Sequence, residues 1–202
     1  MKLIENTIRA AAKRFEESLK RHYPAVGGNG FNERNMTFQF AHEFCQRENT
    51  HAFFEVPFKT QERNRNDNHF DAMLFDNTLL LVVESKRLLS KAKNESIKAD
   101  IKRLRNSPYI RSLRDRFEKP MGAPRRECGL VIAEHWEERS SNGKMIRWWC
   151  KGSAEWPWSR VGYPKDWRYR SIHVTDFSPE GNKDAPATLY WLYCYGLLVP
   201  DR

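Results

Sequence analysis

No run among the 202 residues comes near the ~18 consecutive apolar residues that a membrane-spanning helix needs. The opening stretch MKLIENTIRAAAKRF is charged and amphipathic and has no signal-peptide apolar core, so no secretory leader is expected. Cysteine is scarce. Cys45, Cys128, Cys150 and Cys194 stand far apart, without the close pairs of a zinc site, and read as reduced core residues of a cytoplasmic protein. Gly27, Gly28 and Gly30 are not followed by Gly-Lys-Ser/Thr, which excludes a phosphate loop. His42-Glu43 lacks the second histidine of a zinc-protease helix, because Gln46 stands where it is needed. Internal repeats and low-complexity segments are missing, and tryptophan is absent before Trp136.

What is present is an ordinary globular composition, 40% hydrophobic and 30% charged, in a chain long enough to bury a real core. The net charge of +9 is concentrated. Residues 86–126 hold fourteen Lys and Arg against four Asp and Glu, a surplus that accounts for the whole net charge. Such a field suits a polyanionic partner, since lysines and arginines release condensed counterions when they meet phosphates. As a bare charge cluster it reads equally as a solvated helix face.

The stretch HFDAMLFDNTLLLVVESKR, residues 69–87, reads as an apolar hairpin turned at Asp76-Asn77. With that loop, Phe75 faces Thr78, Met73 faces Leu80 and Asp71 faces Val82. Alternation then puts Asp71, Met73 and Phe75 on the face of Leu80, Val82, Glu84 and Lys86. Glu84 becomes a diagonal neighbour of Asp71, roughly 7–8 Å away along the backbone, close enough for both carboxylates to hold one hard cation. A slip of one residue would send Asp71 to the opposite face.

Asp71, twelve intervening residues, then Glu84-Ser85-Lys86 resembles the PD-(D/E)xK signature of the restriction-endonuclease-like superfamily. The resemblance covers about residues 36–135, and His69-Phe70 stands where the signature has its proline. It implies that Asp71 and Glu84 bind Mg²⁺ (Mn²⁺ as a substitute) with help from the Ser85 carbonyl. Lys86 would contact the attacking water or the scissile phosphate. An added acid from the preceding helix would fall on Glu43. Glu55, alone in the mostly apolar strand HAFFEVPF, is a rival for that role, because an unpaired glutamate there is expensive.

Around this motif the spacing predicts a helix over 3–22 with Ile4, Ile8, Ala11, Phe15 and Leu19 inward, and a second over 36–48. A strand is expected over 51–59, with polar connectors at 23–32 and 61–68. A helix over 90–106 turns Ala92, Ile97, Ile101 and Leu104 inward and its basic residues outward. That leaves Arg87, Lys91, Lys98, Lys102 and Arg105 as expected nucleic-acid contacts. A shorter helical stretch (107–117) and a break (120–124) follow. A buried strand over 128–133 is expected to lie parallel to 79–84 through a right-handed crossover.

The expected fold is α/β, a restriction-endonuclease-like core with a central mixed sheet flanked by helices. It divides into a core over 1–135 and a tryptophan-rich β elaboration over 136–202 packed on the same domain. Strand-like runs in that tail are 145–150, 171–174 and 188–198. Trp156, Trp158, Trp167 and Tyr169 either stack on unpaired bases or fill a small core. The expected activity is Mg²⁺-dependent hydrolysis of phosphodiester bonds, in DNA ahead of RNA, with a homodimer supplying double-strand cuts. The alternatives are a nuclease-like protein of weak or lost activity that binds nucleic acid or a protein partner, and a structural ion network at a sheet edge.

Overall fold

Continuous apolar runs, buried on both faces, build the centre of the fold, a six-stranded sheet of order β1-β2-β3-β4-β6-β5. The structure, a computed structural model, describes residues 1–22, 33–58, 69–88, 91–105, 110, 126–138, 143–152, 161–177 and 187–198. The connectors at 23–32 and 61–68, the break at 120–124, Trp156 and Trp158 lie outside these residues, as does 107–117 apart from Ile110. In chain order the elements are α1 (Lys2–His22), α2 (Glu33–Phe44), β1 (His51–Pro57), β2 (His69–Phe75), β3 (Leu79–Arg87), α3 (Lys91–Leu104), β4 (Arg126–Glu138), α4 (Lys144–Lys151), β5 (Arg168–Phe177) and β6 (Ala187–Leu197). The chain is thus α/β. Its sheet is mixed, because β3 and β4 run parallel while every other pair is antiparallel. None of the described helices is long and apolar enough to cross a membrane.

Both sheet faces are covered, and the two periods of the sequence account for it. On one face Ile4, Ile8, Phe15 and Leu19 of α1 and Met36, Phe40 and Phe44 of α2 pack on Leu74, Leu81, Val83, Leu130 and Trp191. On the other, Ile97, Ile101 and Leu104 of α3 and Trp148 and Trp149 of α4 pack on Met73, Leu80, Val82 and Val131. Ala92, expected inward, is exposed, and Asn94 is buried instead, accepting a 2.7 Å bond from the Tyr163 hydroxyl. Of the four cysteines only Cys128 and Cys194 belong to the core; Cys45 is exposed and Cys150 half-buried.

The hairpin differs from expectation by one position in its loop. Phe75 pairs with Leu80 and Met73 with Val82, and Asp76 N–H donates to the Leu79 carbonyl, so Asn77-Thr78 is the loop. Asp76 Oδ1 accepts from the Thr78 and Leu79 amides at 2.7 and 2.9 Å, the bonding that favours aspartate at the first turn position. Sliding the loop by one residue shifts the pairing by two, so every side chain keeps its face. Asp71 thus stays on the Glu84 face, one position beyond the last pair, Ala72 with Val83.

Residues 145–150, expected as a strand, form α4. The run MIRWWC satisfies either period, and left-handed glycines at both ends, Gly143 (φ 69°) and Gly152 (φ 69°), settle it as one short helix with Met145, Trp148 and Trp149 buried. The remaining tail completes the central sheet, with β6 paired along β4 and β5 along β6. Trp167 and Tyr169 are core residues, 3% and 7% exposed. The Trp167 indole lies over Gly129 and Gly196, and a Cβ at Gly196 would stand 2.2 Å from Trp167 Cδ1. Gly196→Ala is therefore expected to lower stability by about 1–3 kcal/mol through overpacking, measured by urea unfolding; an unchanged midpoint would refute this placement of the indole.

Candidate functional site

Glu84, Ser85 and Lys86 end the central strand, and alternation sends them to different faces. Glu84 and Lys86 point toward α3, and Ser85 points toward α2, where its hydroxyl meets Thr37 Oγ1 at 2.6 Å. Asp71 lies beyond the last paired position, Ala72 with Val83, and its Oδ2 accepts the Ser85 amide at 2.6 Å. In a strand the amide and carbonyl of one residue leave the backbone on the same side. The Ser85 carbonyl is thus directed toward β2 as well.

Sequence reasoning missed the other half of the cluster, which comes from α3. Asp100 is 3% exposed, and its Oδ1 takes a 2.5 Å bond from Arg103. Arg103 reaches Glu84 Oε1 at the same distance, and Lys86 Nζ lies 3.2 Å from Asp100 Oδ2 and 3.8 Å from Glu84 Oε2. The guanidinium also lies 5.7 and 5.9 Å from the ring centres of Phe58 and Phe70. The signal was spacing. Asp100 falls on the buried stripe 94, 97, 100, 104, where an apolar residue is the rule.

The electrostatics are those of a carboxylate group short of positive charge. Fully ionised, Asp71, Glu84 and Asp100 would bring three negative charges against the two positive ones of Lys86 and Arg103. Burial, then the charge of Asp100, pushes Glu84 up to about 8, and burial also raises Asp71 despite the Ser85 amide. Burial pulls Lys86 downward, but Asp100, Glu84 and Asp71 outweigh it and its pKa rises, so it stays charged. Asp100 Oδ2 is engaged by the Lys86 ammonium at 3.2 Å.

Glu84 implies a pH dependence whose sign can be worked out. Between its ordinary value of 4.5 and about 8, Glu84 of the folded protein holds a proton that the unfolded chain has released. Stability then falls as pH rises through that window, by an amount on the order of a few kcal/mol. Urea unfolding at pH 5.5 and 8 should show the loss, and Glu84→Gln should flatten it. An equally steep slope in the variant would rule Glu84 out as its source.

Of the other expected acids, Glu43 falls elsewhere, whereas Glu55 lies beside Asp71. Glu43 pairs with Arg14 of α1 at 2.5 Å. It lies six residues beyond Thr37, about 9 Å further along the helix. The acid that α2 brings to the end of β3 is Glu33, whose Oε1 accepts the Arg87 amide at 2.9 Å. Glu55 has a left-handed backbone (φ 51°), unusual for a non-glycine residue, between the paired positions Phe54–Ala72 and Val56–Phe70. It bonds His69, lies 3.6 Å from Arg34, and adjoins Asp71 in a depression of about 240 Å³.

Of the expected nucleic-acid contacts, Arg87 is held by buried Glu134 at 3.1 Å and Lys98 by Glu95 at 2.8 Å. Arg105 lies 3.6 Å from Asp166 on the surface, and Lys102 is exposed. Lys91 opens α3, but its side chain lies outside the described residues.

The chain matches no protein-family model, no curated protein and no solved structure. Chemistry must therefore be read from the cluster itself. Among the described residues no three His, Cys, Asp or Glu side chains stand together as a ready-made metal cage. The donor set nonetheless fits a hard cation. It is all oxygen, rich in carboxylate and poorly solvated.

Proposed function

We propose that this chain is a metal-dependent nuclease with a restriction-endonuclease-like core, hydrolysing phosphodiester bonds of nucleic acid, DNA ahead of RNA. The observation that carries the reading is the convergence of Asp71, Glu84, Asp100 and Lys86 at the end of the central strand. A purely structural network explains it less well, because buried ion pairs gain little over apolar packing.

Asp71 and Glu84, with the Ser85 carbonyl, would hold Mg²⁺ or Mn²⁺, and Asp100 supplies a further carboxylate beside them. The ion would supply Lewis-acid activation of the phosphate and of a water molecule. The chain's own residues do the rest. Asp100 fixes the Lys86 ammonium and keeps it charged, so that Lys86 orients the attacking water and balances charge gathering on the phosphoryl oxygens. The Ser85 amide holds Asp71 at the rim of the sheet. Arg103, bound to Glu84 at 2.5 Å, would add a second positive charge beside the phosphate.

One observation favours a second reading, a nuclease-like binding protein without chemistry: Arg103 and Lys86 already engage the two Glu84 oxygens. Incubation with Mg²⁺ or Mn²⁺ on linear, circular and single-stranded DNA and on RNA separates the two. Chelator-sensitive cutting supports the nuclease. Salt-dependent binding without cutting on any substrate supports the second reading.

A further inference from the structure

Two phenylalanines beside the cluster stand in water. Phe38 of α2 is 56% exposed and Phe54 of β1 46%. A single exposed aromatic needs no explanation, but these form a row. Phe38 and Phe54 lie with centroids 6.4 Å apart and planes 27° from parallel, and Phe38 stacks likewise on His42 at 6.3 Å and 27°. Different elements supply the rings, so the row is a product of the fold.

The row also separates two concavities. On one side is the depression of about 240 Å³ lined by Arg34, Thr37, Phe38, Phe54, Glu55 and Asp71. On the other is a cavity of about 350 Å³ between α1 and α2, with Arg14, Arg21, Phe38 and His42 in its wall. Exposed, near-parallel rings between arginines are the composition of a single-strand platform, in which ring faces take bases and guanidinium groups take the backbone. A helical peptide would call for a deep apolar groove, whereas both walls here carry charge.

We infer that Phe38 and Phe54 form a stacking shelf for an unpaired base of the strand that passes Asp71, so that the substrate is nucleic acid with single-stranded character next to the cut. This deepens the nuclease reading and rests on it. A paired base hides both faces in the duplex stack; only an unpaired one can lie on the shelf. Phe38 and Phe54 position the strand and take no part in the chemistry.

The test separates binding from cutting. The full chain is titrated in chelator with a fluorescent twelve-nucleotide oligo(dT) and with a duplex of equal length. Phe38→Ala/Phe54→Ala should weaken single-strand binding about tenfold or more, leave duplex binding and the melting temperature unchanged, and be rescued by Phe38→Trp/Phe54→Trp. Equal losses on both probes, no loss on the single strand, or a change from dimer to monomer in sedimentation would each overturn the shelf. Cutting assays with Mn²⁺ keep the two ideas apart. If wild type cuts nothing but the binding split appears, the nuclease reading falls, and Phe38 and Phe54 stand only as a platform for an unpaired base, with no cut beside it. If wild type cuts and the double variant cuts single strands equally well, the shelf alone falls.

Discussion

Asp71→Asn and Lys86→Ala are each expected to reduce chelator-sensitive cleavage at least ~100-fold while leaving nucleic-acid binding within a few-fold. Removing one group aimed at charge that develops only in the transition state typically costs about 10²–10³ in rate. Asparagine is the right substitution at 71, because its carbonyl can still accept the Ser85 amide, whereas alanine would strand that donor at a cost of about 1–3 kcal/mol. Lys86 is 16% exposed and pairs with Asp100 and Glu84 through its ammonium end, so Lys86→Ala also removes one of the two cations facing those buried carboxylates, and its rate counts only where the melting curve shows a folded protein. Initial rates with Mn²⁺, with melting curves as the folding control, decide the matter. Residual cleavage within a few-fold of wild type in either variant, with the fold intact, would end the proposal that these residues run the chemistry.

Arg103→Leu is expected to cost about 3–5 kcal/mol of stability at pH 8, and less at pH 5.5, where Glu84 carries its own proton. Its guanidinium donates to Glu84 and Asp100 at 2.5 Å each, and both carboxylates are almost wholly buried. Without it, Lys86 alone faces two buried acids. Adding Glu84→Gln to Arg103→Leu should recover most of the loss, a non-additivity that a double-mutant cycle in urea measures directly. Mg²⁺ should also stabilise the single variant more than wild type, since a cation arriving at Glu84 no longer competes with the guanidinium. A loss under ~1 kcal/mol at pH 8 would show that Arg103 is a surface ion pair and nothing more.

Much of the scaffold was legible because it rests on short-range periodicity. The buried positions of α1 and the shared faces of the β2–β3 hairpin follow from spacings of 3.6 and 2, and the hairpin faces survive a misplaced loop because the error is even. Short apolar runs were not legible. Residues 145–150 fit both periods, and the glycine conformations that close α4 are backbone properties with no counterpart in residue identity alone. Glu43 and Glu33 illustrate a different limit. Which acid of α2 reaches the end of β3 depends on the direction in which the helix crosses the sheet, and local pattern carries no information about that.

The sequence by itself determined that an aspartate and a glutamate share one end of an apolar ribbon, that a lysine follows two residues on, and that the positive charge collects just beyond. Tertiary structure alone decided that Asp100 and Arg103 join them, that Glu43 goes to Arg14, and that Phe38 and Phe54 meet beside Asp71. The physical reason is the range of the forces. Alternation and helical periodicity act over a few residues and are written in order along the chain. The pairing of α3 or of α2 with β3 is set by how large apolar faces pack, and a buried charge then accepts whichever partner that packing delivers.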